Sequence, residues 1–80
     1  MALSLQRLDA VRAVAEAGSY AAAARALAVS QPNISAQVRG LEKEFGVRLF
    51  RRESGRLLPT DLCLKICDSA ERMAEAWQEA

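Results

Sequence analysis

Three groups of side chains in this 80-residue chain have chemistry to offer: a polar run at Ser30, Gln31, Asn33, Ser35 and Gln37; arginines at 51, 52 and 56; and the thiols Cys63 and Cys67. Gln and Asn each present a donor beside an acceptor, the pattern that pairs bidentately with an adenine edge, and the small apolar surfaces of Pro32 and Ala36 can touch a thymine methyl. Arginine carries a fixed fork of donors that matches a phosphate or a carboxylate. Amides and hydroxyls in one stretch and arginines some twenty residues later suggest a surface that reads one part of an anionic polymer and grips another. The bland alternative is a solvated helix face, which every surface helix needs.

Other chemistry is excluded by what is missing. The chain contains no histidine. That removes Ser-His-Asp and Cys-His triads and every His-based metal motif. The glycines Gly18, Gly40, Gly46 and Gly55 stand alone, so no phosphate-cradling loop is present. Cys63 and Cys67 share a helix face at i, i+4, but two thiols without further ligands are too few for zinc. They read as small buried hydrophobes. No catalytic residue, cofactor or metal is expected, and the chain reads as a non-enzyme.

The net charge of +1 conceals a polarised distribution. Residues 25–56 hold seven basic and three acidic groups, net +4, whereas residues 57–80 hold two basic and five acidic, net −3. The middle is built to meet an anion and the end is not. With 51% hydrophobic and 26% charged residues the chain can fold, and its length allows one domain with a small core. No apolar run approaches the ~20 residues of a membrane helix. Two cysteines without a signal peptide suggest a reducing cytoplasm.

The elements that would position these groups follow from periodicity and punctuation. A first helix is expected over 4–17, with Leu5, Leu8, Val11, Val14 and Ala15 as its apolar stripe. Gly18 stops it and Ser19 caps a short second helix, 20–27, whose alanines allow close packing between Tyr20 and Leu27. Ala28 and Val29 make a tight connection. Ser30 caps a third helix with Pro32 in its first turn and Ile34, Val38, Leu41 and Phe45 as its buried stripe. Its other positions, including Arg39 and Lys43, are polar, and Gly46 ends it. Gly40 inside it either admits a close backbone or is a tolerated surface glycine. Extended pieces at 47–51 and 56–58 flank a Glu53-Ser54-Gly55 turn. Arg51 and Arg52 must then face opposite ways. Arg52 is the favoured contact to an external anion, and the other arginine forms an ion pair, with Glu42 or Glu44 as candidates. Pro59-Thr60-Asp61 opens a last helix carrying an apolar stripe, Leu62, Ile66, Ala70, Met73 and Trp77. That stripe extends past so small a body, so it reads as an interface with a second copy. The helix has no stop signal at residue 80, as in a fragment cut within it.

Helix, small-residue helix, tight turn, polar-faced helix and basic hairpin make a mainly α fold, a winged helix-turn-helix over 1–60 followed by a linker and dimerisation helix over 61–80. The sequence of these pieces resembles the N-terminal DNA-binding domain of LysR-type transcriptional regulators. The resemblance rests on Ala13-Val14-Ala15-Glu16-Ala17-Gly18-Ser19-Tyr20; on Ala22-Ala23 and Leu27; and on Val29-Ser30-Gln31-Pro32-Asn33-Ile34-Ser35 with Val38, Leu41-Glu42 and Phe45-Gly46. It is completed by Leu49-Phe50-Arg51-Arg52 and Pro59-Thr60, and it covers residues 4–80.

The resemblance implies a homodimer, or a tetramer in a full-length protein, that binds an operator in double-stranded DNA with the form of an interrupted inverted repeat. It implies an antiparallel dimer contact through the last helix and a small-molecule effector sensed by a further domain outside this chain. By position it makes Gln31, Pro32 and Ser35 base-facing and puts Arg52 and Arg56 on the wing. The full expected DNA surface is Ser30, Gln31, Pro32, Asn33, Ser35, Gln37, Arg39, Arg51, Arg52 and Arg56. The chain departs from the family pattern at Ala36, where a basic residue is common, at Asn33, and at Leu62-Cys63, where the family has smaller residues. Two rivals remain: a winged helix that binds a protein partner without specific DNA binding, and a MarR-type reader, which carries extra helices on both sides.

Overall fold

A computed structural model describes residues 5–79, with side chains from 6 to 69 and at Arg72. Four helices and a two-stranded antiparallel wing follow in the order α1 (Leu5–Ala17), α2 (Tyr20–Leu27), α3 (Gln31–Phe45), β1 (Phe50–Glu53), β2 (Arg56–Pro59) and α4 (Asp61–Glu79). The mainly α winged-helix architecture expected from the sequence is therefore present.

Local chemistry sets most of the boundaries. Gly18 ends α1 in the left-handed region at φ 78°. The Ser19 hydroxyl accepts the Ala22 N–H and caps α2. α2 ends on Ala28, also left-handed at φ 57°, whose N–H returns to Ala24 and Arg25 carbonyls. Ser30 then caps α3 by accepting from Asn33, with Pro32 in the first turn, where no N–H is needed. The small side chains of Ala23 and Ala24 are buried, so α2 sits close to both α1 and α3. Leu27, expected to pack beside them, is 40% exposed.

The core is a single cluster: Ala10, Val11 and Val14 of α1, Ala23 and Ala24 of α2, Ile34, Val38 and Leu41 of α3, Leu49, Phe50 and Leu57 from the wing, and Cys63 of α4. Phe45 does not complete the α3 stripe as its spacing predicts. It is 50% exposed, at the last residue of α3 before the left-handed Gly46. Its ring instead borders a shallow apolar groove with Leu41, Val47, Leu49, Leu62 and Ile66.

The first strand also begins three residues later than expected. The N–H groups that would enter a ladder are already engaged by Glu42. Gly46 and Val47 donate to its carbonyl, and Leu49 donates to its Oε2 at 2.7 Å. Pairing starts at Phe50↔Pro59 and runs through Arg52↔Leu57 to Glu53↔Arg56. Ser54 and Gly55 both have positive φ, the two-residue mirror turn whose twist suits a hairpin. A ribbon this short is marginal alone. It is held by buried Phe50 and Leu57 and by the Leu57 N–H donating to the Gly18 carbonyl.

Thr60 closes the wing onto α4. Its hydroxyl donates to the Arg48 carbonyl at 2.9 Å and accepts the Cys63 N–H at 3.2 Å, and its own N–H donates to the Leu49 carbonyl. Within the expected α4 stripe Leu62 is 40% exposed and Ile66 is half-buried, while Ala70, Met73 and Trp77 lie outside the described side chains. Leu64, not part of that stripe, is 52% exposed.

Candidate nucleic-acid interface

α3 is held to the body by Ile34, Val38 and Leu41, all fully buried. A helix advances roughly 100° per residue, so that line fixes where every other α3 side chain sits. Pro32, Ala36, Arg39 and Lys43 fall opposite it, and all four are exposed. Gln31 and Ser35 fall on one flank, the side of Glu42. Asn33 and Gln37 fall on the other, the side of Gly40 and Glu44. The polar residues expected to form one reading surface thus wrap an arc of the helix, with Ala36 at its centre. Ser30, Gln31, Pro32 and Asn33 cluster at the exposed N-terminal end. Ser35 is half-buried, and its hydroxyl donates to the Pro32 carbonyl at 3.2 Å, leaving its oxygen as an acceptor.

On the Asn33 flank the charges are paired within the fold. The Arg7 guanidinium from α1 donates to Glu44 Oε2 at 2.8 Å. It passes over Gly40, where a Cβ would stand 3.5 Å from Arg7 Nη2. That is ordinary contact, so what lies over Gly40 is a side chain rather than a backbone, and the position tolerates glycine without requiring it.

The other flank is different. Arg39 of α3, Arg48 of the loop and Arg52 of β1 line one cleft with Tyr20, Glu42, Phe50 and Leu57. Strand alternation gives Arg52 the same face as buried Phe50 and cross-strand Leu57, the face toward the helices. Arg51 takes the opposite face and pairs with Glu53 at 2.9 Å. The expected division between the two arginines is present, but the ion-pair partner is neither Glu42 nor Glu44. Glu42 is engaged with Leu49, and Glu44 with Arg7. Arg56, expected on the wing surface, is exposed and reaches back to the α1–α2 corner, its Nη2 3.9 Å from where a Gly18 Cβ would be.

Burial, and then the Glu42 carboxylate, raise the Tyr20 phenol above its ordinary range, while Arg39, Arg52 and Arg48 oppose that rise. The phenol remains a donor, and three guanidinium fields meet at it. Tyr20 and Arg48 were not among the residues expected at the site. A signal for Arg48 exists in the period of two linking Arg48, Phe50 and Arg52, which puts them on one face. Nothing in the sequence marks Tyr20, whose place depends on how α2 packs.

Cys63 is buried and its thiol is pushed up to about 12 by burial and by neighbouring Cys67, so it stays protonated and inert at neutral pH. Among the described residues no group of three or more His, Cys, Asp or Glu could hold a metal ion, and no helix is long and apolar enough to cross a membrane.

Comparison with known proteins sets this geometry in a family. Residues 5–63 match the model of the bacterial regulatory helix-turn-helix proteins, lysR family. The HTH-type transcriptional regulator CbbR of Xanthobacter flavus is 40% identical over 77 residues, 96% of this chain and 23% of that protein. The chain thus spans about a quarter of the length of such curated relatives. Among solved structures, a CbnR_DBD–DNA complex superposes with a TM-score of 0.85 at 36% identity, covering 96% of this chain and 88% of that one. A BenM_DBD complex with benA site 1 DNA gives 0.86 at 28% identity, covering 96% and 86%. The chain belongs to the lysR family of bacterial regulatory helix-turn-helix proteins.

Proposed function

We propose that this chain binds double-stranded DNA with sequence preference, as the reading head of a homodimeric transcriptional regulator. The observation that carries the proposal is the continuity of two surfaces. The exposed outer line of α3 runs through Arg39 into the arginine-lined cleft beside the wing. A helix of this kind fits the major groove, with base edges read from its N-terminal residues. Gln31 and Asn33 supply bidentate amides, Pro32 and Ala36 supply apolar contact, and Ser30 and Ser35 supply hydroxyls. Gln37 lies at the arc's edge as a flanking contact, and Arg39 and Arg52 face the backbone beside the groove. Arg51, on the opposite face of β1, and Arg56 of β2 act at the flanking backbone or minor groove.

In this reading residues 1–60 bind DNA, and residues 61–80 join two copies through Leu62, Ile66, Ala70, Met73 and Trp77. A two-fold axis then calls for two half-sites in inverted orientation. The full regulator is cytoplasmic, associates with the nucleoid, forms dimers or tetramers and takes its small-molecule effector through a separate domain.

Fluorescence anisotropy against a randomised duplex pool at two salt concentrations, with recovery and sequencing of bound DNA, tests this. Enrichment of an interrupted inverted repeat, lost in Gln31→Ala, is expected. Absence of duplex binding at low salt overturns the reading and favours a protein partner for α3.

A further inference from the structure

The cleft between α2, α3 and the wing has a volume of about 330 Å³ and gathers three guanidinium groups. Three arginines elsewhere in the fold are paired with carboxylates: Arg7 with Glu44, Arg51 with Glu53 and Arg72 with Asp68. Among the described residues no such ion pair engages Arg39, Arg48 or Arg52. The one carboxylate in the cleft, Glu42, accepts the Leu49 N–H and leaves the cleft with a net charge of +2 from three arginines and one glutamate. Like charges held together in excess of their counter-charge are repulsive, and the arrangement is stabilised by an anion that enters it.

We propose that this cleft is a seat for one backbone phosphodiester of the duplex, with Arg48 and the Tyr20 hydroxyl as its new arms beside Arg39 and Arg52. The proposal rests on the duplex-binding reading above and deepens it. A phosphodiester has two non-bridging oxygens, which suit guanidinium forks and one hydroxyl donor. Phe50 is 4% exposed and offers no face for stacking a base. Arg39 belongs both to the cleft lining and to the exposed outer line of α3, so a duplex lying along that line meets the cleft there. Glu42 orients the seat by fixing Leu49, next to Arg48, to the end of α3.

The test uses this chain and a duplex recovered from the pool, with Arg48→Ala, Arg48→Lys and Tyr20→Phe, all read by anisotropy across a salt series. Arg48→Ala is expected to weaken binding about tenfold at low salt and to reduce the salt slope by roughly 0.9 per cleft. It does so equally on specific and random duplexes. Arg48→Lys restores the slope but only part of the affinity, because the fork is lost. Tyr20→Phe keeps the ring and weakens binding less than Arg48→Ala. Methylphosphonates placed singly along the duplex locate the partner: at one position, neutralising the phosphate removes the penalty of Arg48→Ala. Unchanged affinity and slope in Arg48→Ala, with wild-type binding intact, overturns the seat alone, whereas absence of wild-type binding overturns the reading beneath it. A penalty that persists at every methylphosphonate position also overturns it. Inorganic phosphate added at constant ionic strength, followed by NMR shifts at Tyr20 and Arg48, separates the sources. Saturation of the free protein assigns the cleft to a free anion, and the absence of saturation supports the duplex.

Discussion

The two flanks of α3 carry the same residue types in opposite circumstances. On one, Arg7 crosses Gly40 to meet Glu44, and charge is balanced inside the fold. On the other, Arg39, Arg48 and Arg52 converge beside Tyr20, while the nearby carboxylate is tied to a backbone amide. The flanks differ in how many arginines they hold and in whether each has a carboxylate partner. The Arg7–Glu44 pair balances its charge within the fold, whereas three arginines gathered around one carboxylate carry an excess positive charge toward something outside it.

The largest blow to this contrast is one that removes the support of both flanks. Leu41 is 1% exposed beneath them. Leu41→Ala should cost about 2–5 kcal/mol, much of the stability of so small a domain. Thermal unfolding by circular dichroism is expected to show a large fall in Tm and loss of both binding and fold. Next in size is Gln31→Ala, which should leave Tm unchanged and reduce discrimination between specific and random duplex by about 1–3 kcal/mol. Competition anisotropy measures it, and an equal loss on both duplexes would contradict a base-reading role. Arg7→Ala probes the balanced flank: stability should fall by less than about 1 kcal/mol, since the pair is partly exposed, while the salt slope of binding stays as in wild type. A reduced slope would erase the distinction between the flanks. Arg51→Ala is expected to have the smallest effect on stability, within about 0.5 kcal/mol of wild type, because its pair with Glu53 is more than half exposed on both sides. Denaturant titration checks that value.

Much of the fold was legible because it is set by neighbours in sequence. Ser19, Ser30 and Thr60 cap the turns that directly follow them, and Gly18 and Gly46 supply left-handed stops. The parts that escaped depend on distant groups. Val47-Arg48-Leu49 reads as the start of a strand, yet Glu42 engages the Val47 and Leu49 amides, and no local pattern announces that. Phe45 continues the helical spacing and still lies half exposed, because burial requires a neighbouring element at that height. At the candidate site, periodicity separated Arg51 from Arg52, but only tertiary packing brought Arg48 and Tyr20 beside Arg39. The site was legible as a helix and a wing, and the cleft joining them was not.

Thr60 gives the fold a mechanical property. One residue is pinned to the Arg48 carbonyl, the Leu49 carbonyl and the first turn of α4. It therefore acts as the fulcrum of a lever whose short arm is the cleft loop and whose long arm is α4. The 19 residues of α4 span roughly 28 Å, so an angular slip of about 10° at the fulcrum would displace the far end by about 5 Å. That exceeds the rise of one base pair, about 3.4 Å. In an assembly joined through α4, the tolerance with which two reading heads are spaced would depend on the stiffness of this hydroxyl-bearing joint together with the packing of Cys63 into the core.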